Sequence, residues 1–153
     1  MLRYMLDTNI LIFTVKNKPE VVRQQFEAHE GEICTSSVTA MEMLYGAHKS
    51  QSVRRNLDVI DALLSRLTVL DFDLAAAEHA GAIRASLASD GRPIGPYDTM
   101  IAGHARSLGL VLVTNNVGEF CRVSGLRVEN WAEGGVEGRR SDRSLTDATT
   151  SST

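Results

Sequence analysis

Apolar residues alternate between short, sharply bounded runs and longer stretches where they recur every three or four positions. The first pattern predicts a buried strand and the second an amphipathic helix. The opening run Tyr4-Met5-Leu6 stops at Asp7-Thr8-Asn9, after which Ile10, Leu11, Ile12 and Phe13 resume in a helix. Pro19 opens a second helix to about residue 29, with Val21, Val22 and Phe26 on its face and Gly31 beyond its end. Residues 32–35 read as a second strand, with Ser36 and Ser37 as candidate caps for a third helix over 38–49. Its predicted core stripe is Val38, Met41, Leu44 and Tyr45, with Glu42 beside it. A fourth helix over about 52–66 repeats the pattern and leads into a third strand at 67–70. Asp73 is expected to cap an alanine-rich helix over 74–89, followed by a surface loop with two prolines and two glycines at 90–96. The next helix starts at Tyr97 and ends at Gly109 in the left-handed cap position. Residues 110–113 form a strand that stops at Thr114-Asn115-Asn116. A short helix around Glu119 and Phe120, a last strand at 126–129 and the apolar anchor Trp131 complete the pattern.

This alternation predicts an α/β fold of three layers, a central parallel sheet of about five strands flanked by helices and joined by right-handed crossovers. Ligands bind such sheets beyond the carboxyl ends of the strands, where the loops diverge. Polar clusters sit at two of those ends, after the first strand and after the fourth. Asp98 falls in the first turn of the helix feeding the fourth strand, and Glu42 on the helix after the second. The acids are therefore expected to converge.

With 153 residues, 43% of them hydrophobic, one domain is expected over 1–132. From about 133 the sequence turns to Gly, Ser, Thr, Asp and Arg, which predicts a disordered tail over 133–153. A formal charge of -3 argues against coating nucleic acid or an anionic membrane by bulk electrostatics, so a polyanionic partner requires a local basic patch or metal ions. Arg54, Arg55, Arg84 and Arg92 are candidates to flank an RNA groove, although scattered helical arginines commonly just solvate a surface. Cys34 and Cys121 lack metal-type spacing and read as buried reduced thiols. No basic leader precedes a long apolar run and no window reaches the roughly 18 apolar residues of a membrane span. A cytoplasmic protein with no membrane contact is expected.

Carboxylates are costly to gather unless a cation neutralises them, and hard oxygen ligands with open positions for water suit Mg²⁺ or Mn²⁺. Such a cation can polarise a phosphodiester and acidify a bound water, which reconciles an acidic protein with an anionic substrate. Each acid also has a plainer reading: Asp7 as a helix cap, Asp98 as a complement to a helix dipole, Glu42 and Glu119 as solvated side chains. His29, His48, His79 and His104 share no common spacing and read as structural or surface residues.

Four stretches taken together resemble the PIN domain, and within it the VapC ribonuclease toxins of type II toxin–antitoxin modules. They are Asp7-Thr8-Asn9, Met41-Glu42-Met43-Leu44-Tyr45-Gly46-Ala47, Pro96-Tyr97-Asp98-Thr99-Met100-Ile101-Ala102 and Val113-Thr114-Asn115-Asn116. The resemblance runs from residue 1 to about 131. It implies that Asp7 and Asp98 hold Mg²⁺ or Mn²⁺ and that Glu42 completes the site directly or through water. Thr8, Asn9, Thr114, Asn115 and Asn116 would orient ligands or water from behind. PIN proteins usually place a fourth acid after the fourth strand, where this chain has Asn115 and Asn116. Glu119, three residues beyond Asn116, is the candidate replacement, and one ion rather than two is expected. The implied activity is metal-dependent hydrolysis of structured translation RNA, with the anticodon stem-loop of initiator tRNA as substrate. Also implied are a VapB antitoxin whose C-terminal segment covers the crevice, homodimerisation through the helices, and operator DNA binding only through the antitoxin.

Two other classes are distinguishable. A PIN-like module that grips RNA without efficient turnover would owe its inactivity to Asn115 and Asn116. A phosphatase of the haloacid dehalogenase type also starts with an aspartate after its first strand, but it wants a second acid where this chain has Asn9. Dinucleotide binding fails for lack of GxGxxG after a strand.

Overall fold

The computed structural model describes residues 1–133. In chain order its elements are β1 (Tyr4–Leu6), α1 (Thr8–Lys16), α2 (Glu20–Ala28), β2 (Ile33–Ser36), α3 (Ser37–Lys49) and α4 (Val53–Leu64). There follow β3 (Thr68–Leu70), α5 (Leu74–Ser89), α6 (Pro96–Ser107), β4 (Val111–Val113), α7 (Val117–Phe120) and β5 (Val128–Glu129). The strands form one parallel sheet in the order β3-β2-β1-β4-β5. The chain steps outward from β1 to β3, then returns to the other side of β1 for β4 and β5. The carboxyl ends of β1 and β4 therefore border the topological switch point, where an open parallel sheet forms its crevice. The Asp7 backbone N–H bridges it, donating to the Val113 carbonyl at 3.0 Å.

Strand side chains alternate between faces, so the sheet separates two cores. Tyr4 and Leu6 join Ile10, Leu11, Val22 and Phe26 in one, and Met5 joins Cys34, Val38, Ile83 and Ile101 in the other. Burying each such large side chain contributes roughly 1.5–3 kcal/mol, which lets strands of only two to four residues persist. The caps follow the sequence signals. Ser36 caps α3, Asp73 caps α5 by accepting from the Ala76 N–H, and Gly109 adopts φ +66° just past α6. α5 packs tightly on α6 at Gly103, where a Cβ would stand 2.5 Å from the Ala80 nitrogen.

Two expectations need correction. α3 buries Val38, Thr39, Ala40, Met43 and Ala47, while Met41, Leu44 and Tyr45 of the predicted stripe are exposed by 41%, 38% and 60%. The inward face of α3 carries smaller and more polar residues because the helix packs between neighbouring helices rather than over open sheet. Cys34 is buried as expected, but Cys121 is exposed, since the four-residue α7 turns only Phe120 inward. The expected disordered tail lies outside the described residues except at residue 133. Among the described residues no helix is long and apolar enough to cross a membrane.

Candidate active site

The residue after β1 must leave the sheet and open α1. Asp7 does both, its Oδ1 accepting the Ile10 N–H at 3.0 Å while the residue is 5% exposed. Burial pushes its carboxyl up to about 6, opposed by hydrogen bonds from Thr114 and the Ile10 amide, and Glu42's charge adds to the rise. The next residue ties a second acid to this corner: Thr8 Oγ1 donates to Glu42 Oε1 at 2.8 Å across to α3. From behind, Thr35 Oγ1 donates to the Leu6 carbonyl at 2.7 Å, fixing the end of β1 against β2.

Asp98 sits in the first turn of α6. Burial, its hydrogen bond with Glu119, and the charges of Glu119, Asp7 and Glu42 push it up to about 7. Acids from four elements thus lie within electrostatic reach of one another, with Asp98 and Glu119 in hydrogen-bond contact. Glu119 is held below its ordinary value, first by its contact with Asp98 and, against its partial burial, by Asn116, the Gly95 amide and the Arg122 charge. Asn116 Nδ2 donates to Glu119 Oε2 at 3.1 Å. Two carboxyl groups in contact share one proton. It belongs on Asp98, because the donors converge on Glu119. Arg122 also donates Nη1 to the Pro93 carbonyl at 3.1 Å, tying the end of α7 to the loop that enters α6.

The structure thus brings Asp7, Glu42, Asp98 and Glu119 together. Thr114 is fully buried behind Asp7, and its Oγ1 accepts the Asn116 N–H at 2.9 Å. Asn9 and Asn115 are exposed at the rim, 3.5 Å apart through Nδ2 and Oδ1. Arg54, Arg55, Arg84 and Arg92 are exposed. Arg122 stands outside every sequence motif, and only the fold carries it to the Pro93 loop.

The donor set fits a hard divalent cation. Glu119 Oε1 is buried with no hydrogen-bond partner, while its other oxygen accepts from Asn116 and its carboxylate lies against Asp98. Among the described residues no three carboxylates, imidazoles or thiols stand close enough to enclose an ion alone. That spacing suits Mg²⁺, which keeps several waters and takes one or two carboxylates directly. Beside the acids runs a groove of about 340 Å³ between α1, α3 and α4, its apolar floor of Ile12, Val15, Met43, Val59 and Ile60 leading to Thr8 and Glu42.

The PIN domain family model matches residues 4–126. The chain is 62% identical over 132 residues to a protein of Shigella flexneri named tRNA(fMet)-specific endonuclease VapC, a match covering 86% of this chain and 100% of the relative. It is 50% identical over 131 residues to ribonuclease VapC2 of Haemophilus influenzae, covering 86% of this chain and 99% of that one. Among solved structures, DNA-bound VapBC from Salmonella typhimurium matches with a TM-score of 0.83 at 57% identity, over 86% of this chain and 99% of that chain.

Proposed function

Because the chain belongs to the PIN-domain family, and within it to the VapC ribonucleases, we propose that it is a metal-dependent endoribonuclease toxin that cleaves initiator tRNA and is restrained by a VapB antitoxin. The observation that carries this reading is the convergence of Asp7, Glu42, Asp98 and Glu119 at the switch point of the sheet. Asp7 and Asp98 would hold the ion, Glu42 would complete its surroundings directly or through water, and Glu119 would stand in for the acid replaced by Asn115 and Asn116. When bound, Mg²⁺ or Mn²⁺ supplies Lewis acidity toward a phosphodiester oxygen and toward an attacking water.

The chain's own side chains supply the rest. The Ile10 amide and Thr114 favour the ionised form of Asp7, Thr8 orients Glu42, and Asn116 orients Glu119. Hydrolysis adds the OH of one water to phosphorus and breaks one P–O bond, and the water's other proton, taken up by a carboxylate or by solvent, is returned to the leaving oxygen. Glu119, held ionised below its ordinary range, would supply negative charge beside Asp98 for the ion. The contact of Glu119 with Asp98 supports an active enzyme over a module that only grips RNA.

The substrate assignment follows the Shigella flexneri relative, which this chain matches over its whole length. The apolar groove beside Thr8 and Glu42 fits a partner segment with apolar residues along one side and a polar or cationic end over the acids, the form in which an antitoxin's C-terminal segment would cover the crevice. Operator DNA contact falls to the antitoxin. The exposed face of Met41, Leu44 and Tyr45 supplies a surface for homodimerisation. Action on tRNA would be in keeping with a cytoplasmic location. Incubating the antitoxin-free chain with a total tRNA pool and sequencing the new ends tests the substrate. Cuts confined to the anticodon stem-loop of initiator tRNA are expected, and cuts spread over elongator tRNAs would contradict it.

A further inference from the structure

The imidazole of His104 lies outside the acidic crevice, yet it is 2% exposed in α6 and hydrogen-bonded. Its Nδ1 lies 2.8 Å from Ser36 Oγ, itself fully buried at the end of β2. The same hydroxyl oxygen accepts the Val38 N–H at 3.1 Å and so caps α3. Its neighbours act in parallel. Thr35 Oγ1 donates to the Leu6 carbonyl at 2.7 Å, and Ser37 Oγ accepts the Phe72 N–H at 3.0 Å. Three successive hydroxyls thus join the end of β1, the start of α3, the segment after β3, and α6. Asp7 follows the first of these, Glu42 rides on the second and Asp98 on the last.

With its oxygen accepting from Val38, Ser36 still has its own proton to give to Nδ1, the arrangement in which His104 is the neutral tautomer carrying hydrogen on Nε2. Burial draws the imidazole below its ordinary value against the charges of Asp73 and Asp71, which agrees with a neutral ring. At the adjacent residue, Gly103 brings the α6 backbone against Ala80 of α5 so closely that a Cβ would stand 2.5 Å from the Ala80 nitrogen. α6 is therefore fixed by steric contact at 103 and by a directional bond at 104. Asp98 lies roughly 9 Å from that anchor at 1.5 Å of rise per residue. A tilt of about 10° there would carry Asp98 by roughly 1.5 Å, and misplacement on the order of 1 Å can cost about 100-fold in rate.

We propose that Ser36 and His104 form a positioning pair that locks α6 to the start of α3, so that Asp98 and Glu42 meet Asp7 in the geometry the ion requires. The pair rests on the metal-dependent reading above. Hydrocarbon side chains could fill the same volume, but only a hydrogen bond fixes orientation as well as distance.

The test compares the wild type with His104→Leu, His104→Asn and Ser36→Ala in the full chain. It reads Mn²⁺ affinity by electron paramagnetic resonance without RNA, kcat and KM on initiator tRNA, and the folded fraction by circular dichroism. Asn places an amide near the Nδ1 position and can accept the Ser36 proton. His104→Leu is expected to lose about 10-fold or more in kcat and about fivefold or more in Mn²⁺ affinity per folded molecule, with KM for RNA within about twofold. His104→Asn should recover most of both. Undiminished Mn²⁺ affinity and kcat in His104→Leu, or equal impairment of His104→Asn, would overturn the pair and leave a packing role. If His104→Leu does not fold, Ser36→Ala decides in the same way, since unchanged Mn²⁺ affinity and kcat there also overturn it. A wild type that neither binds Mn²⁺ nor cleaves RNA sinks the nuclease reading itself, and the pair with it.

Discussion

Asp7 shows at the scale of one residue how the site trades stability for chemistry. A rise from 3.8 to about 6 in the folded state means that ionising this carboxyl opposes folding by on the order of 3 kcal/mol. The penalty is absent below the unfolded value, grows as pH climbs from 3.8 to about 6, and is complete above that. Asparagine keeps an oxygen to accept the Ile10 amide and removes the charge. In EDTA at pH 7.5, Asp7→Asn should therefore melt roughly 5–10 °C above wild type, with the gap closing toward pH 4. The same variant should lose cleavage by about 100-fold or more. A variant no more stable than wild type in differential scanning calorimetry would mean that Asp7 bears no buried charge. Glu119 makes a separate prediction. Glu119→Gln keeps the size and the Asn116 contact but removes a negative charge beside Asp98, so the Mg²⁺ concentration for half-maximal cleavage should rise several-fold while KM for RNA stays put. An unchanged Mg²⁺ dependence would make Glu119 a spectator.

At the scale of elements, α3 marks the boundary of what hydrophobic pattern can tell. Strands, caps and helix order are legible because each has a local cause: Asp73 caps α5, Ser36 caps α3, and Gly109 ends α6 with a positive φ. The face of α3 is not, because Met41, Leu44 and Tyr45 form an apolar stripe as good as any core stripe and differ only in what they meet. Periodicity locates an apolar face without saying whether the chain's own core or a second molecule covers it. Leu44→Arg should therefore shift the protein from dimer to monomer in sedimentation, with melting of the monomer unchanged within about 1 kcal/mol. A monomeric wild type would assign this face elsewhere. The acids Asp7, Glu42 and Asp98 could be found in sequence because two follow or open an element beside a strand end and all fall in motifs. Glu119 could be found because three residues span one helical turn from Asn116. Arg122, Ser36 and His104 could not be assigned their contacts, because those bonds reach partners 29 and 68 positions away and have no local signature.

For the whole molecule, the strand order places an acidic crevice and an apolar groove side by side on one end of the sheet. On the proposed reading, a chain with a formal charge of -3 would need a cation at the crevice to meet RNA, and the groove would offer a partner the means to close it. Val59 lines that groove and is 38% exposed, away from the acids' own hydrogen bonds. Val59→Glu should weaken antitoxin binding by about 100-fold in calorimetry while cleavage by the free toxin stays within about twofold. Normal antitoxin affinity would put the docking surface elsewhere. The central claim, that the gathered acids make a metal-dependent nuclease, is tested most directly by incubating the antitoxin-free chain with purified initiator tRNA in Mg²⁺, in EDTA, and in Mg²⁺ with Asp7→Ala in place of wild type. Discrete fragments from wild type in Mg²⁺, absent in both other arms, are the predicted result; equal cutting in EDTA or by Asp7→Ala, or no cutting by wild type while it still binds the RNA, would contradict it.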